Sequence, residues 1–234
     1  MIRVAITTDR FESAAVPFRS FGLQPVSLPC IRVDPADSEV LTEAREAASS
    51  CDLLLVTSVR TLELLWPDGS MPAAKVAAVG ETTSAAVAAR GGRIVASGQA
   101  GLAHLIAQLG DQLALSSVAF PRGGGSFSLP GSPTSLRLAL DNLRAQAADL
   151  REFEVYRTTP QSPGLAGVDA AVFASPLAVA GWRLSRAFDG LVVGVIGSTT
   201  RQAMAAHRPP DVVAPQPTHQ ALAMAMASYL EVSA

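Results

Sequence analysis

The chain is short of almost every residue type that announces a metal, a redox cofactor or a nucleic acid. Its 234 residues hold two cysteines, three histidines and a single lysine, Lys75. Cys30 and Cys51 form no CxxC pair, and His104, His207 and His219 lack HExxH spacing. Metal sites and disulfide frameworks are therefore disfavoured, and buried thiols are the expectation. Charged residues make up 16% of the chain, the formal charge is −2 and no Lys/Arg run occurs. That balance speaks against a protein that neutralises nucleic-acid phosphates with a basic face. The amino terminus, Met1-Ile2-Arg3-Val4-Ala5-Ile6, reads as strand and lacks the charged head and long apolar segment of a signal peptide. The longest uncharged stretch, 212–230, carries Pro215, Gln216, Pro217, His219 and Gln220, which makes a poor membrane helix. The expectation is a soluble, cytoplasmic protein with no nucleic-acid or membrane partner.

What the chain does have is apolar material, 49% of it, with aromatics only 5%. That is ample for packed cores and argues against disorder. Strand-length apolar runs at 4–7, 24–28, 53–57, 76–79, 93–96, 118–121, 150–156, 170–174, 192–196 and 211–214 alternate with alanine-rich segments. The latter predict helices near 12–21, 37–49, 59–66, 81–90, 100–109, 134–148, 176–187, 199–207 and 218–230. Such alternation points to α/β architecture with mainly parallel sheets covered on both faces. Trp66 and Trp182 lie in apolar helical contexts and are expected in the core.

Self-comparison adds a level that local reading misses. VAAVGETTSAAVAAR at 76–90 aligns with VGVIGSTTRQAMAAH at 193–207, an offset of 117, with seven of fifteen positions identical. At the same offset Asp52-Leu-Leu-Leu-Val-Thr-Ser58 aligns with Asp169-Ala-Ala-Val-Phe-Ala-Ser175. Two regions in register at one offset predict duplicated α/β domains. A strand-helix-strand unit at 2–28 precedes both copies and another, at 117–156, follows the first. The expected division is therefore residues 1–29 plus 161–234 for one domain and 33–156 for the other. Crossings near 29–33 and 155–160 coincide with Pro25, Pro29, Pro35, Pro160 and Pro163, as extended linkers would.

Four strand-to-helix turns could carry chemistry: Thr57-Ser58-Val59-Arg60, Gly80-Glu81-Thr82-Thr83, Ala174-Ser175-Pro176 and Gly197-Ser198-Thr199-Thr200. At the carboxyl edge of a parallel sheet, each offers free backbone N–H groups and the positive end of a helix dipole. Any one of them could be plain capping; their paired recurrence suits a polyanionic ligand. Arg122-Gly123-Gly124-Gly125-Ser126 lacks the endings of a P-loop or a dinucleotide fold and reads as a flexible loop continuing through Pro133. Ser58 and Ser175 stand in no GxSxG elbow and have no histidine placed by sequence to activate them, which speaks against a hydrolase triad. Tyr156, one of two tyrosines, falls at the second crossing. Its phenol could donate a proton to a leaving group or simply pack with a satisfied hydroxyl, and the residues alone do not divide these readings.

Taken in order, Thr57-Ser58, Val79-Gly80-Glu-Thr-Thr83, Arg122-Gly123, Leu136 to Leu143 leading to Tyr156, Phe173-Ala-Ser175-Pro176 and Ile196-Gly197-Ser-Thr-Thr200 resemble the uroporphyrinogen-III synthase family. The resemblance implies two flavodoxin-like α/β domains with parallel sheets (the HemD-like fold), joined by a two-stranded linker with a cleft between them. It implies cyclisation of hydroxymethylbilane to uroporphyrinogen III with ring D inverted, without metal or cofactor. It leaves room for transient contact with hydroxymethylbilane synthase, while the lack of any large exposed apolar helix face in the sequence makes a monomer the expectation. Carried onto this sequence, Tyr156 would assist departure of the hydroxyl. Thr57, Ser58, Gly80, Thr83, Ser175, Pro176, Gly197 and Thr200 would bind substrate, with Arg10 and Arg122 as carboxylate partners.

Overall fold

The computed structural model describes residues 1–98, 101–124 and 134–231. The chain divides into two compact units, Met1–Val33 with Thr158–Ala234 and Asp34–Arg157. It opens with β1 (Arg3–Ile6), α1 (Phe11–Ser20) and β2 (Gln24–Ser27), then leaves the first unit along β3 (Ile31–Pro35). The second unit continues with α2 (Ser38–Ser50), β4 (Leu53–Val56), α3 (Val59–Leu65), β5 (Lys75–Val79), α4 (Glu81–Ala88) and β6 (Arg93–Gly98). There follow α5 (Leu102–Leu109), a 3-10 turn at Gly110–Leu115, β7 (Ser117–Gly124), α6 (Thr134–Gln146) and β8 (Asp149–Pro160). The first unit is completed by β9 (Ala170–Phe173), α7 (Pro176–Arg183), β10 (Val192–Val195), α8 (Ser198–Ala205), β11 (Val212–Val213) and α9 (His219–Tyr229).

The sheet of the first unit runs β11-β10-β9-β1-β2, and that of the second runs β6-β5-β4-β7-β8 with β3 added at the far edge. Every pairing within the first sheet is parallel, as is every pairing from β6 to β8 in the second. The two orders are the same, so β4, β5, β6, β7 and β8 correspond to β9, β10, β11, β1 and β2. Only the chain order differs: the β-α-β segment at the end of the second unit stands at the beginning of the first.

Both central strands show why the sequence reads as continuously apolar. All four residues of β4 and of β9 are buried. Alternate side chains point to opposite faces, so Leu54 and Val56 join α2, α3 and α4 while Leu53 and Leu55 join α5 and α6. In the first unit Ala170 and Val172 meet α1 and α9, and Ala171 and Phe173 meet α7 and α8. Trp182 is fully buried there, 5.7 Å from the Phe173 ring and 6.5 Å from Phe188, with its indole N–H donating to Ala187 O at 2.9 Å. Trp66 is also core, whereas only one thiol is. Burial pushes Cys30 up to about 12, and Cys51 is merely half-buried.

The repeated aspartates have a structural role. Asp52, just before β4, accepts from the N–H and the hydroxyl of Ser117 at 2.9 and 2.8 Å, where β7 begins. Asp169, just before β9, accepts from the N–H of Arg3 at 2.7 Å, where β1 begins. Each carboxylate thus fixes the start of the neighbouring central strand, at the sheet edge away from the helix-starting turns.

Tertiary pairing defines two segments further. The stretch 29–33, expected as an extended crossing, contributes to β3, which pairs with β8; Ala36 N–H donates to Val155 O and Gln161 N–H to Cys30 O, an antiparallel arrangement. The expected loop 122–126 is strand through Gly124, because β8 runs alongside and supplies the pairing. The rest of that expected loop, 125–133, lies outside the described residues.

Candidate functional site

In each sheet the chain leaves a central pair of strands in opposite directions, from β4 towards β5 and from β7 towards β8, and likewise from β9 and from β1. Crevices at the carboxyl ends of such switch points are where open parallel sheets bind ligands. The turns on either side of the second unit's switch point carry Thr57 and Ser58, after β4, and Arg122 and Gly123, at the end of β7. Those at the first unit's switch point carry Ser175 and Pro176, after β9, and Arg10, after β1. The glycine turns at Gly80 and Gly197 lie one strand further along, after β5 and β10.

The four turns are of two kinds. Ser58 caps α3, its hydroxyl accepting from Arg60 N–H at 3.1 Å, and Ser175 caps α7 by accepting from Ala178 N–H at 3.2 Å. Those side chains satisfy part of the unpaired first turn. Pro176, at the start of α7, has no N–H to satisfy and its ring pre-sets helical φ. The other two helices begin at glycine, with no side-chain cap. Ser84 N–H donates to Gly80 O at 3.0 Å and Arg201 N–H to Gly197 O at 2.9 Å. The amides of Glu81, Thr82 and Thr83, and of Ser198, Thr199 and Thr200, therefore precede the helical ladder and are aimed outward with the positive dipole end. The hydroxyl-bearing Thr83 and Thr200 themselves are 6% and 3% exposed. Their side chains turn into the fold, so these positions present backbone rather than hydroxyls.

Tyr156 lies on β8, half-buried against the core formed with α2 and α3. Register pairs it with Gly123 of β7, just past an irregularity after Arg122. From the helix side the guanidinium carbon of Arg60 stands 5.7 Å from its ring centroid, within cation–π range. Ser58, Arg60, Gly123 and Tyr156 thus converge at the second unit's switch point.

The two arginines behave differently. Arg10 is exposed before α1, with its carbonyl accepting from Ala14 N–H at 3.1 Å. Arg122 donates through Nε to Glu152 at 3.0 Å and through Nη1 to Gly123 O at 3.3 Å. Glu152 is also gripped by Arg144 at 2.7 Å. Burial alone would raise the Glu152 carboxyl, but the two guanidiniums outweigh it and hold the group below its ordinary range. Arg122 is accordingly engaged in bracing β7, β8 and α6.

A family model described as uroporphyrinogen-III synthase HemD matches residues 12–224. The chain belongs to the uroporphyrinogen-III synthase family. Among solved structures, a uroporphyrinogen-III synthetase from Helicobacter pylori aligns with a TM-score of 0.65 at 14% identity, covering 98% of this chain and 99% of that one. A substituted uroporphyrinogen III synthase from the extremely thermophilic bacterium Thermus thermophilus aligns with a TM-score of 0.62 at 16% identity, covering 99% of both. At these identities the likeness is one of fold. No curated protein matches the chain. Within the family frame, Arg60 and Gly123 are neighbours of Tyr156 that the sequence reading places in motifs of their own without connecting them to it. Arg60 stands two residues after a serine cap, but nothing near it in sequence points across the sheet to residue 156. Among the described residues no three His, Cys, Asp or Glu side chains gather as metal ligands, and no helix is long and apolar enough to cross a membrane.

Proposed function

We propose that this protein is a uroporphyrinogen-III synthase, closing hydroxymethylbilane to uroporphyrinogen III with inversion of ring D. The linear tetrapyrrole loses its terminal hydroxyl to give an azafulvene, a spiro intermediate forms, and recyclisation inverts the last ring. The electron-rich pyrroles supply most of the reactivity, and the free substrate closes unaided to the uninverted isomer. The protein's task is therefore to control conformation.

The observation that carries this reading is the duplicated, uncapped helix start at Gly80 and Gly197, three ladder-free amides in each unit. Such amides suit acetate and propionate groups in a protein with one lysine. In the proposal the amides of α4 and α8 hold carboxylates, as do the edges at Thr57, Ser58, Ser175, Pro176 and Arg10. Tyr156 donates a proton to the departing hydroxyl. Arg122 contributes by fixing the strands under Tyr156, since its guanidinium already has a carboxylate partner. A cytoplasmic location, a working monomer and brief contact with hydroxymethylbilane synthase belong to the same proposal. The test generates hydroxymethylbilane in situ, oxidises the products and resolves the porphyrin isomers. Isomer III is expected; isomer I alone, with bound substrate detectable, would instead make the protein a non-catalytic binding module of the same fold.

A further inference from the structure

A methyl group built on Gly123 would stand 2.5 Å from Cζ of Tyr156 and 2.7 Å from its hydroxyl. Those separations are far inside van der Waals contact, so the phenol ring occupies the space a side chain at 123 would need. The glycine is not there for its backbone freedom: its φ lies outside the left-handed range, and it is paired in a β-ladder, where glycine weakens a strand unless something must approach closely. Arg60, above the ring, engages the same side chain from α3. The next residue offers a built-in contrast, because a methyl on Gly124 would meet the carboxylate of Glu154, a partly exposed group paired with Arg157.

The structure assigns Gly123 as a positioning residue for Tyr156: its missing side chain is the seat in which the phenol ring lies. This rests on the proposed role of Tyr156 and goes further, since it makes the strand floor beneath the ring part of the reaction's geometry. A catalytic group displaced by about an ångström can cost on the order of a hundredfold in rate.

The ring is the movable partner, so Gly123→Ala is expected to fold and to shift Tyr156 aside. With only two tyrosines in the chain, ring-labelled 13C-tyrosine gives two signals, and Tyr156→Phe assigns them. Gly123→Ala should move the Tyr156 signal, leave that of Tyr229 in place, and lower kcat roughly ten- to a hundredfold with KM changed by less than about threefold. In the Tyr156→Phe background the same substitution should lower kcat by less than about twofold, since both changes act through one phenol. Gly124→Ala should leave the Tyr156 signal and kcat unchanged within about twofold. A Tyr156 signal unmoved by Gly123→Ala would overturn the seat, as would an undiminished loss of kcat in the Tyr156→Phe background. Full turnover by Tyr156→Phe alone would strike instead at the role of the phenol, so the two failures read differently.

Discussion

The two units repeat one another closely at the glycine and serine turns and differ at the strand pair beside them. β4-α3-β5-α4 and β9-α7-β10-α8 have the same sheet positions, the same serine caps and the same glycine starts. β1 and β2, however, end at Ile6 and Ser27, while their counterparts β7 and β8 run on to Gly124 and Pro160. That extension is what carries Gly123 and Tyr156. Across the repeat, Arg60 corresponds to Leu177, an apolar side chain that is buried. Duplication thus accounts for uncapped helix starts in both units, and the candidate proton donor sits in the part that was not duplicated.

The sharpest way to break this comparison is Tyr156→Phe. It is expected to lower turnover roughly a hundredfold, in line with a positioned general acid, with the unfolding midpoint unchanged, as read by the isomer-resolved assay and a denaturant titration. Full turnover would leave the two units functionally alike.

The next test applies one substitution to both copies. Gly80 has φ +83 and ψ 150, a backbone region that only glycine enters freely, and there is open space around it. Gly197 has φ −178, extended backbone that any residue adopts, with Pro217 Cβ at 3.9 Å from an added methyl. Gly80→Ala should therefore cost about 1–3 kcal/mol of stability, and Gly197→Ala within about 0.5 kcal/mol of nothing. Equal effects in chemical denaturation would show that the turns are more alike than their backbones.

Ser58→Ala and Ser175→Ala should each cost about 1 kcal/mol, the worth of an N-cap, because each hydroxyl satisfies one first-turn amide. Loss of activity beyond loss of stability is expected for both, since both turns are proposed to hold carboxylates, and is expected to be larger for Ser58, whose turn adjoins Tyr156. The smallest effect is electrostatic and confined to the second unit. The Glu152 carboxyl is held low in the folded state by Arg144 and Arg122. Its stabilisation is therefore fully present above the unfolded value of about 4.3 and is lost as pH falls through the lower folded one. Glu152→Gln should lower stability near neutral pH and flatten its decline in acid, measured as denaturation midpoint against pH.

Much of the fold could be read from local pattern. Strands buried on both faces, such as Leu53–Val56, announce themselves as unbroken apolar runs, and serine after such a run marks a capped helix. The reading faltered where tertiary pairing overrides local propensity. Ile31–Pro35, with arginine, aspartate and proline in five residues, reads only as an extended crossing, and β8 passing beside it makes it strand. Arg122–Gly124 reads as loop because glycine disfavours strands, and the reason for glycine there is a ring arriving from 33 residues further on. At the candidate site the turns were legible, whereas the inward aim of Thr83 and Thr200 and the engagement of Arg122 with Glu152 depend on packing that no spacing encodes.

The interrupted first unit also sets an order of events at the ribosome. β1 pairs on one side with β2, 21 residues later, but on the other with β9, where Val4 meets Ala170. At about 5–20 residues per second of synthesis, that second neighbour arrives roughly ten to thirty seconds after β1 is made. Every strand of the other sheet from β4 to β8 emerges in that interval. β1 thus gains its second partner only after every strand of the other sheet has been made.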